Sequence, residues 1–257
     1  MTNQFNSKMA AMALINALAI FAGDATASAA FTSQATVGFS VENIVSSSSD
    51  VSNLKMSGSF MRSGADFPVT WTNITGDASV TDVNPELEPV LSDVFVGDIY
   101  QHTFALNGHV SDGVIDFNQV GWYQLGFVNQ GSASFDITLN FSYQLFTEVT
   151  GQVGSTSILI GYQDENGFYQ GVDVIEATTQ SAELLNSVVE NVSSSGGPFT
   201  FTLNSATPNM NFYVNINHVG YLEASPVPLP TAAWAFLTGL VGVVGLGKRR
   251  FFATQMA

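Results

Sequence analysis

The chain has 257 residues, of which 21 are acidic and six are Lys or Arg, and its formal net charge is −15 at pH 7. Between residues 30 and 225, Lys55 and Arg62 are the only cations against 20 acidic residues, so this stretch lacks the basic surface that nucleic acid binding requires. The absence of cysteine excludes a thiol nucleophile, a thiolate zinc site and an iron–sulfur site.

Residues 1–29 have the three parts of an export signal. Lys8 supplies a positive charge, an apolar stretch follows it, and small residues end the segment. The sequence Ala-Ser-Ala at its end fits the small-x-small rule for signal peptidase. We therefore expect a signal peptide that is cleaved after Ala29, with cleavage after Ala27 as the alternative.

Residues 30–222 are predicted to form an acidic, all-β body because apolar and polar residues alternate. From Phe135 to Leu145 the odd-numbered residues are apolar and the even-numbered ones are polar, and Met210 to Asn217 repeats the pattern. Such alternation gives strands with one buried and one solvated face. Further strands are predicted at Phe39–Val45, Met56–Arg62, Val69–Ile74, Ile99–Leu106, Ile158–Ile160, Phe168–Val174 and Phe199–Leu203.

Turn signals separate these strands. Asn107-Gly108 and Asn166-Gly167 are typical of two-residue hairpin turns, so we expect a hairpin at each. Ile158-Leu159-Ile160 lacks polar spacers and predicts a strand buried on both faces, whereas Ala182 to Val189 fits a helix and a strand equally. Loops are predicted at Ser46–Asp50, Asp82–Pro89 and Val192–Pro198. Many short antiparallel strands joined by such turns indicate a β-sandwich or jelly roll.

The histidines offer little support for chemistry. His102 and His109 would need Asp112 or Asp116 to complete a metal site, and we expect them to be surface or turn residues instead. His218 follows a polar row of asparagines, which predicts a solvent-exposed side chain. The motifs of serine hydrolases, zinc proteases and phosphate-binding loops do not occur in the sequence, so we expect no enzyme.

Calcium is the best-motivated metal, because acidic residues cluster in and after a proline-containing loop. Asp82, Glu86 and Glu88 are the candidate ligands, but their spacing matches no EF-hand. A solvated acidic loop is the simpler interpretation, and a rise in melting temperature on calcium addition would decide between the two. We expect no other cofactor.

Aromatic residues are abundant, and most of the 20 Phe fall on the apolar faces of predicted strands. Trp122-Tyr123 and Tyr162 with Phe168-Tyr169 are candidates for a platform on which a sugar ring stacks, as in carbohydrate-binding sandwiches. Cross-strand packing in the core is the alternative.

The C-terminal part is predicted to direct the protein to a membrane. Residues 223–230 form a linker that ends in Val227-Pro228-Leu229-Pro230. Residues 231–247 carry no charge and are predicted to form a transmembrane helix. Lys248-Arg249-Arg250 then opens the basic tail 248–257, which the positive-inside bias would keep in the cytoplasm.

This arrangement resembles the PEP-CTERM sorting signal in its VPLPA variant, a family of exported bacterial proteins with a signal peptide at the other end. The resemblance implies processing near the proline motif by an exosortase, a membrane-embedded protease or transpeptidase. It also implies a Gram-negative host that makes exopolysaccharide or biofilm matrix. Thr231, where the variant usually has Ala, and the longer tail are departures from the pattern. The match covers about residues 225–250 and says nothing about the body.

We therefore expect an exported structural protein of the cell surface or biofilm matrix, which passes through an inner-membrane intermediate. The expected partners are the exosortase, the membrane and exopolysaccharide. A carbohydrate-binding module is the alternative. A hydrolase of matrix polysaccharide is a further one, because the two carboxylates that glycoside hydrolysis needs have no sequence signature.

Overall fold

The computed structural model describes residues 28–48, 50–62, 70–82, 87–151, 153–166, 170–179 and 187–225. Their regular elements are strands: β1 (Ala29–Ser46), β2 (Leu54–Arg62), β3 (Trp71–Asp82), β4 (Ser92–Asp93), β5 (Ile99–Asn129), β6 (Phe135–Thr150), β7 (Val153–Asp164), β8 (Gln170–Thr179), β9 (Ser187–Leu203) and β10 (Asn209–Ala224). Within the described ranges, no helix has the length and apolar character needed to cross a membrane. Ala27, the motif at 227–230, the segment 231–247 and the tail 248–257 lie outside them.

The strands form one curled antiparallel sheet in the order β8-β7-β10-β5-β1-β6-β9. Strands β2 and β3 also pair with β5, and the short β4 pairs with β2. The all-β, antiparallel part of the fold prediction is confirmed, while the jelly-roll connectivity stays a prediction.

The sheet curls because β5 bends in its middle. Its first part, residues 99–110, pairs with β1, and its second part, residues 113–128, pairs with β10. At the bend Gly113 lies opposite Gly76 of β3, and both have positive φ, at 129° and 74°. A Cβ on Gly113 would lie 2.1 Å from the Thr75 carbonyl oxygen, so only glycine allows the two backbones to approach this closely. A strand that bends at such a corner carries the sheet from one layer to the next.

The two layers meet through a continuous aromatic core. Phe31 of β1 stacks on Phe117 of β5 at 4.6 Å between ring centroids, and Phe39 of β1 lies 5.9 Å from Phe212 of β10. These contacts join the layer around β1 to the layer around β10, which gives the body its sandwich-like form. The inner faces supply the aliphatic and aromatic residues that the alternation predicted.

Asn107-Gly108 does not form the predicted hairpin but lies within β5. Gly108 pairs with Phe31 on β1 and with Val80 on β3. A Cβ at Gly108 would lie 2.0 Å from the Phe31 ring, so this glycine makes room for an aromatic side chain rather than for a turn. The second predicted hairpin is present, since β7 and β8 pair antiparallel up to Gln163 and Gln170. Its turn type stays a prediction, because Gly167 lies outside the described residues.

Two further predictions are wrong. Leu159 is 40% exposed while its neighbours Ile158 and Ile160 are fully buried, so β7 has one solvated face. The predicted loop at 192–198 belongs to β9, which pairs with β6 and carries a register shift between Phe141 and Ser142. The ambiguous segment 182–189 is strand from Ser187 onwards, and its earlier residues are not described.

The two ends of the body lie at the same end of the sheet. Ala29 pairs with Val110 and Ala224 pairs with Gly113, so both flank the bend in β5. Ala29, the expected cleavage residue, is the first residue of β1 and is 1% exposed. Cleavage after Ala29 or Ala27 stays a prediction.

Candidate functional site

The two histidines considered as metal ligands lie on opposite faces of β5. Seven positions separate His102 from His109, and an odd separation in a strand directs side chains to opposite sides. The His102 ring stacks on Phe60 at 4.1 Å, and its partial burial lowers the pKa of the imidazole. His109 is exposed. The pair therefore cannot share one metal ion.

His218 is buried rather than exposed, so the prediction of a solvent-facing side chain is wrong. Its Nδ1 lies 2.5 Å from the Ser33 hydroxyl of β1, and its ring meets the edge of Phe104. Burial removes water from the imidazole and lowers its pKa to about 3, so the ring is neutral at pH 7. The alternation from Met210 onwards already directs even-numbered residues inward, and His218 follows it.

The candidate calcium ligands do not converge where they are described. Asp82 forms an ion pair with Arg62, Glu88 is exposed, and Glu86 lies outside the described residues. Among the residues that the structure describes, no group of three or more acidic or histidine side chains is placed to hold a metal ion. Calcium binding therefore stays a prediction.

Of the aromatic residues proposed for sugar stacking, Trp122 points outward and the two described tyrosines point inward. Tyr123 is 2% exposed, and the Tyr162 ring packs 5.0 Å from Phe141 in the core. Phe168 and Tyr169 are not described. For Tyr123 and Tyr162, core packing is the correct alternative.

Trp122 borders a hollow of about 380 Å³ on the outer face of the sheet. We call it the outer hollow, and it is lined by Trp122, Gly161, Tyr162, Gln163, Gln170, Gly171, Val172, Tyr213 and Asn215. Four of these residues follow one line across the strands, because Val172 pairs with Gly161, Gly161 with Asn215, and Asn215 with Trp122. The line from β8 to β5 covers three strand spacings, or about 14 Å.

A hydrogen-bond network lies beside the outer hollow and includes one of its lining residues, Tyr213. Gln124 donates to the side-chain oxygen of Asn211 at 3.2 Å, and Asn211 donates to Glu165. The Tyr213 hydroxyl also donates to Glu165, at 3.4 Å. Partial burial, with the nearby Glu165 carboxylate, raises the pKa of Tyr213, which therefore remains a protonated donor at neutral pH.

A second cavity, of about 550 Å³, opens where the ends of β7, β9 and β10 meet. Phe199, Phe201 and Met210 supply apolar walls, and Asp164 and Glu165 supply carboxylates. Asp164 is 8% exposed and accepts a hydrogen bond from the Asn166 backbone at 3.0 Å, while Glu165 accepts from Asn211 and Tyr213. These carboxylates thus serve local structure.

The sequence contains one signal for the outer hollow. Gly161 lies at an outward position of β7, and a glycine inside a strand can mark a place where a ligand or another backbone approaches closely. Tyr213 and Asn215 lie on the polar face that alternation predicts for β10. The alternation within one strand does not reveal which strands are neighbours in the sheet, so it could not bring these residues together.

No protein-family model matches this sequence, and no curated protein matches it. Among solved structures, the chain has 10% identity to TmCBM61 in complex with beta-1,4-galactotriose, covering 36% of this chain and 71% of that one at a TM-score of 0.08. A glycosyl hydrolase family 2 member from Bacteroides cellulosilyticus is 6% identical over 63% of this chain and 28% of its own, at a TM-score of 0.12. The secretin XcpQ from Pseudomonas aeruginosa is 10% identical over 90% and 67%, at 0.14. Likenesses this low establish neither a shared fold nor a shared activity.

Proposed function

We propose that this chain is an exported protein of the bacterial cell surface or extracellular matrix whose β body binds polysaccharide at the outer hollow. The expected route follows from the signals at the two ends of the sequence. The binding role follows from the outer hollow, where Trp122 is placed beside amide and phenol groups on a rigid sheet.

The single observation that carries the binding role is the line from Val172 through Gly161 and Asn215 to Trp122. The C–H groups on one face of a sugar ring are apolar and pack on an indole, while its hydroxyls need donors and acceptors beside them. Asn215 and Gln163 provide both in one side chain. A sheet positions such groups more firmly than loops do.

The outer hollow favours binding over hydrolysis. A glycosidase places two carboxyl groups on either side of the scissile bond. The described residues that line the outer hollow are aromatic, amide, glycine and valine residues, without a carboxylate among them. A hydrolase would therefore need acidic residues that this lining does not supply.

Replacing Trp122 with Ala tests the binding role. We expect the variant to lose at least about tenfold in affinity for insoluble or immobilised polysaccharide, because the stacking surface is gone. Trp71→Ala is the control, since Trp71 is an exposed tryptophan, whereas Trp122 is half-buried, and it pairs with Asn118, four residues and about 13 Å along β5 from Trp122. Equal loss in both variants, or in neither, would refute this role, and reducing sugar released by the wild type would favour the hydrolase.

The sorting route is tested separately in the native host. We expect the intact mass of the surface or secreted protein to end near Pro226 to Pro230, or to carry an added group there. A mass that retains residues 234–250 would indicate a plain single-pass membrane protein. Deletion of residues 227–257 is expected to abolish surface attachment, and unchanged localisation would refute the sorting interpretation.

A further inference from the structure

We infer that the outer hollow takes an uncharged polysaccharide, and that Gly161 determines whether a sugar ring can enter it. The inference rests on the proposed binding function and goes further by naming the class of ligand and the residue that admits it. Two independent observations support it: the space above Gly161 and the positions of the cations in the body.

Gly161 leaves a space that the described part of the chain does not fill. Among the described residues, a Cβ added there would meet only the Gly171 carbonyl oxygen, at 4.0 Å, and Gly161 does not have the positive φ that favours glycine. Several other strand glycines are required by a close neighbour, whereas Gly38 and Gly58, like Gly161, would meet described atoms only at 3.4 Å or more. A Cβ at Gly121 would lie 2.5 Å from the Phe60 ring, and one at Gly220 would lie 2.4 Å from the Phe117 ring.

Glycine weakens a strand, because it loses more backbone freedom on folding and offers no side chain to pack. At Gly161 no ring among the described residues and no positive φ requires it. One role of a strand glycine is the close approach of a ligand, and Gly161 differs from Gly38 and Gly58 in that it lines the outer hollow. The open space lies between Val172 and Asn215 along the line to Trp122, where a sugar ring stacked on the indole would extend.

The charges of the body exclude an acidic polysaccharide from this place. Lys55 and Arg62 are the only cations between residues 30 and 225, and both are ion-paired, with Asp93 and Asp82. Lys55 pairs in register with Val128, six residues and about 20 Å along β5 from Trp122.

Arg62 is also not placed to contact an anionic ligand in the outer hollow. It follows Met61, which pairs with Trp122, and alternation therefore directs Arg62 to the opposite face. An anionic chain would thus meet no cation at the outer hollow, and the net negative body would repel it. Hydroxyl-rich, uncharged chains avoid this repulsion and match the amide groups of the lining.

The test combines one variant with two classes of polymer. Gly161→Val fills the space with a residue that strands favour, so we expect an unchanged or higher melting temperature and at least about tenfold weaker binding of dextran, laminarin or galactan. Ser157→Val is the matched control, because Ser157 is on the same strand and outward face but outside the lining. Gly161→Ala provides a smaller change if the valine variant is unstable.

The wild type is expected to bind at least one uncharged polymer through Trp122 and to ignore alginate and polygalacturonate. Wild-type affinity in Gly161→Val, or Trp122-dependent binding of the acidic polymers, would overturn the inference while leaving the proposed binding function intact. Failure of the wild type to bind any polymer would overturn the binding function itself.

Discussion

The inner and outer faces of β10 and its neighbours differ although they are made by the same strands. Phe212 and Val214 of β10 are buried in the aromatic core, while Tyr213 and Asn215 line the outer hollow. Alternation separates the two sets by a single residue. Under the proposed function, stability and binding are therefore carried by different residues, and substitutions on the two faces should have separable effects.

The largest effect is expected when the inner face loses an aromatic ring. Phe212 lies 5.0 Å from Phe199 and 5.1 Å from Phe201, so Phe212→Ala leaves a cavity where the layers meet. We expect the free energy of unfolding in urea to fall by about 3–5 kcal/mol.

Its outer neighbour provides the control. Tyr213→Ala removes a half-buried ring and its hydrogen bond to Glu165, so we expect a loss of about 1 kcal/mol in stability together with weaker glycan binding. Similar destabilisation by the two variants would contradict the division between the faces.

The second effect is a loss of stability in acid that comes from His218. Its pKa is lowered from 6.5 to about 3 in the folded protein, so the unfolded chain binds a proton that the folded chain rejects. This contribution is absent above pH 6.5, and it destabilises the fold progressively as pH falls from 6.5 towards 3, by up to about 1.4 kcal/mol per pH unit.

Urea unfolding of the wild type and His218→Gln between pH 7 and 4 measures this effect. We expect the variant to have a flatter pH dependence in this range, even if it is less stable at pH 7, because Gln does not titrate. Carboxylates contribute equally to both proteins, so parallel pH curves would show that His218 is already protonated or is reached by water.

The third effect is a change in stability on replacing glycine with alanine, and it is expected to have opposite signs at Gly108 and Gly161. Gly108→Ala would place a Cβ 2.0 Å from the Phe31 ring and should cost about 1–3 kcal/mol of stability. Gly161→Ala meets no described atom closer than 4.0 Å and should add about 0.5–1 kcal/mol, since alanine restricts the unfolded chain more than glycine does. Melting temperatures of the two variants test this, and a loss of stability at both positions would mean that the outer hollow is filled by the protein itself.

The sequence predicted the class of fold well because alternation is a local signal. From Phe135 to Leu145 each residue reports its own face, and the structure confirms that β6 buries the odd-numbered side chains. His218 obeys the same rule, because its even-numbered position in β10 directs it inward although its neighbours Asn215 and Asn217 are polar.

The bend and the outer hollow depend on pairing between distant strands, which alternation does not encode. Asn107-Gly108 favours a hairpin locally, but Phe31, almost 80 positions earlier, occupies the space that the glycine leaves. Trp122 was recognised as a candidate, whereas Gly161 gains meaning only because β7 and β10 are neighbours. A glycine in a strand is thus informative only once its cross-strand neighbours are known.

The smallest effect is expected at an ion pair of the outer surface. Lys55 contacts Asp93, and the two side chains are 25% and 57% exposed, so solvent screens their attraction. Lys55→Ala should lower the free energy of unfolding by less than about 1 kcal/mol, and 0.5 M NaCl should reduce the difference further. Because Lys55 lies far from Trp122, the variant should bind uncharged glycan like the wild type. A large loss of affinity would instead show that this cation takes part in binding. Acidic polysaccharides would then again be candidate ligands of the outer surface.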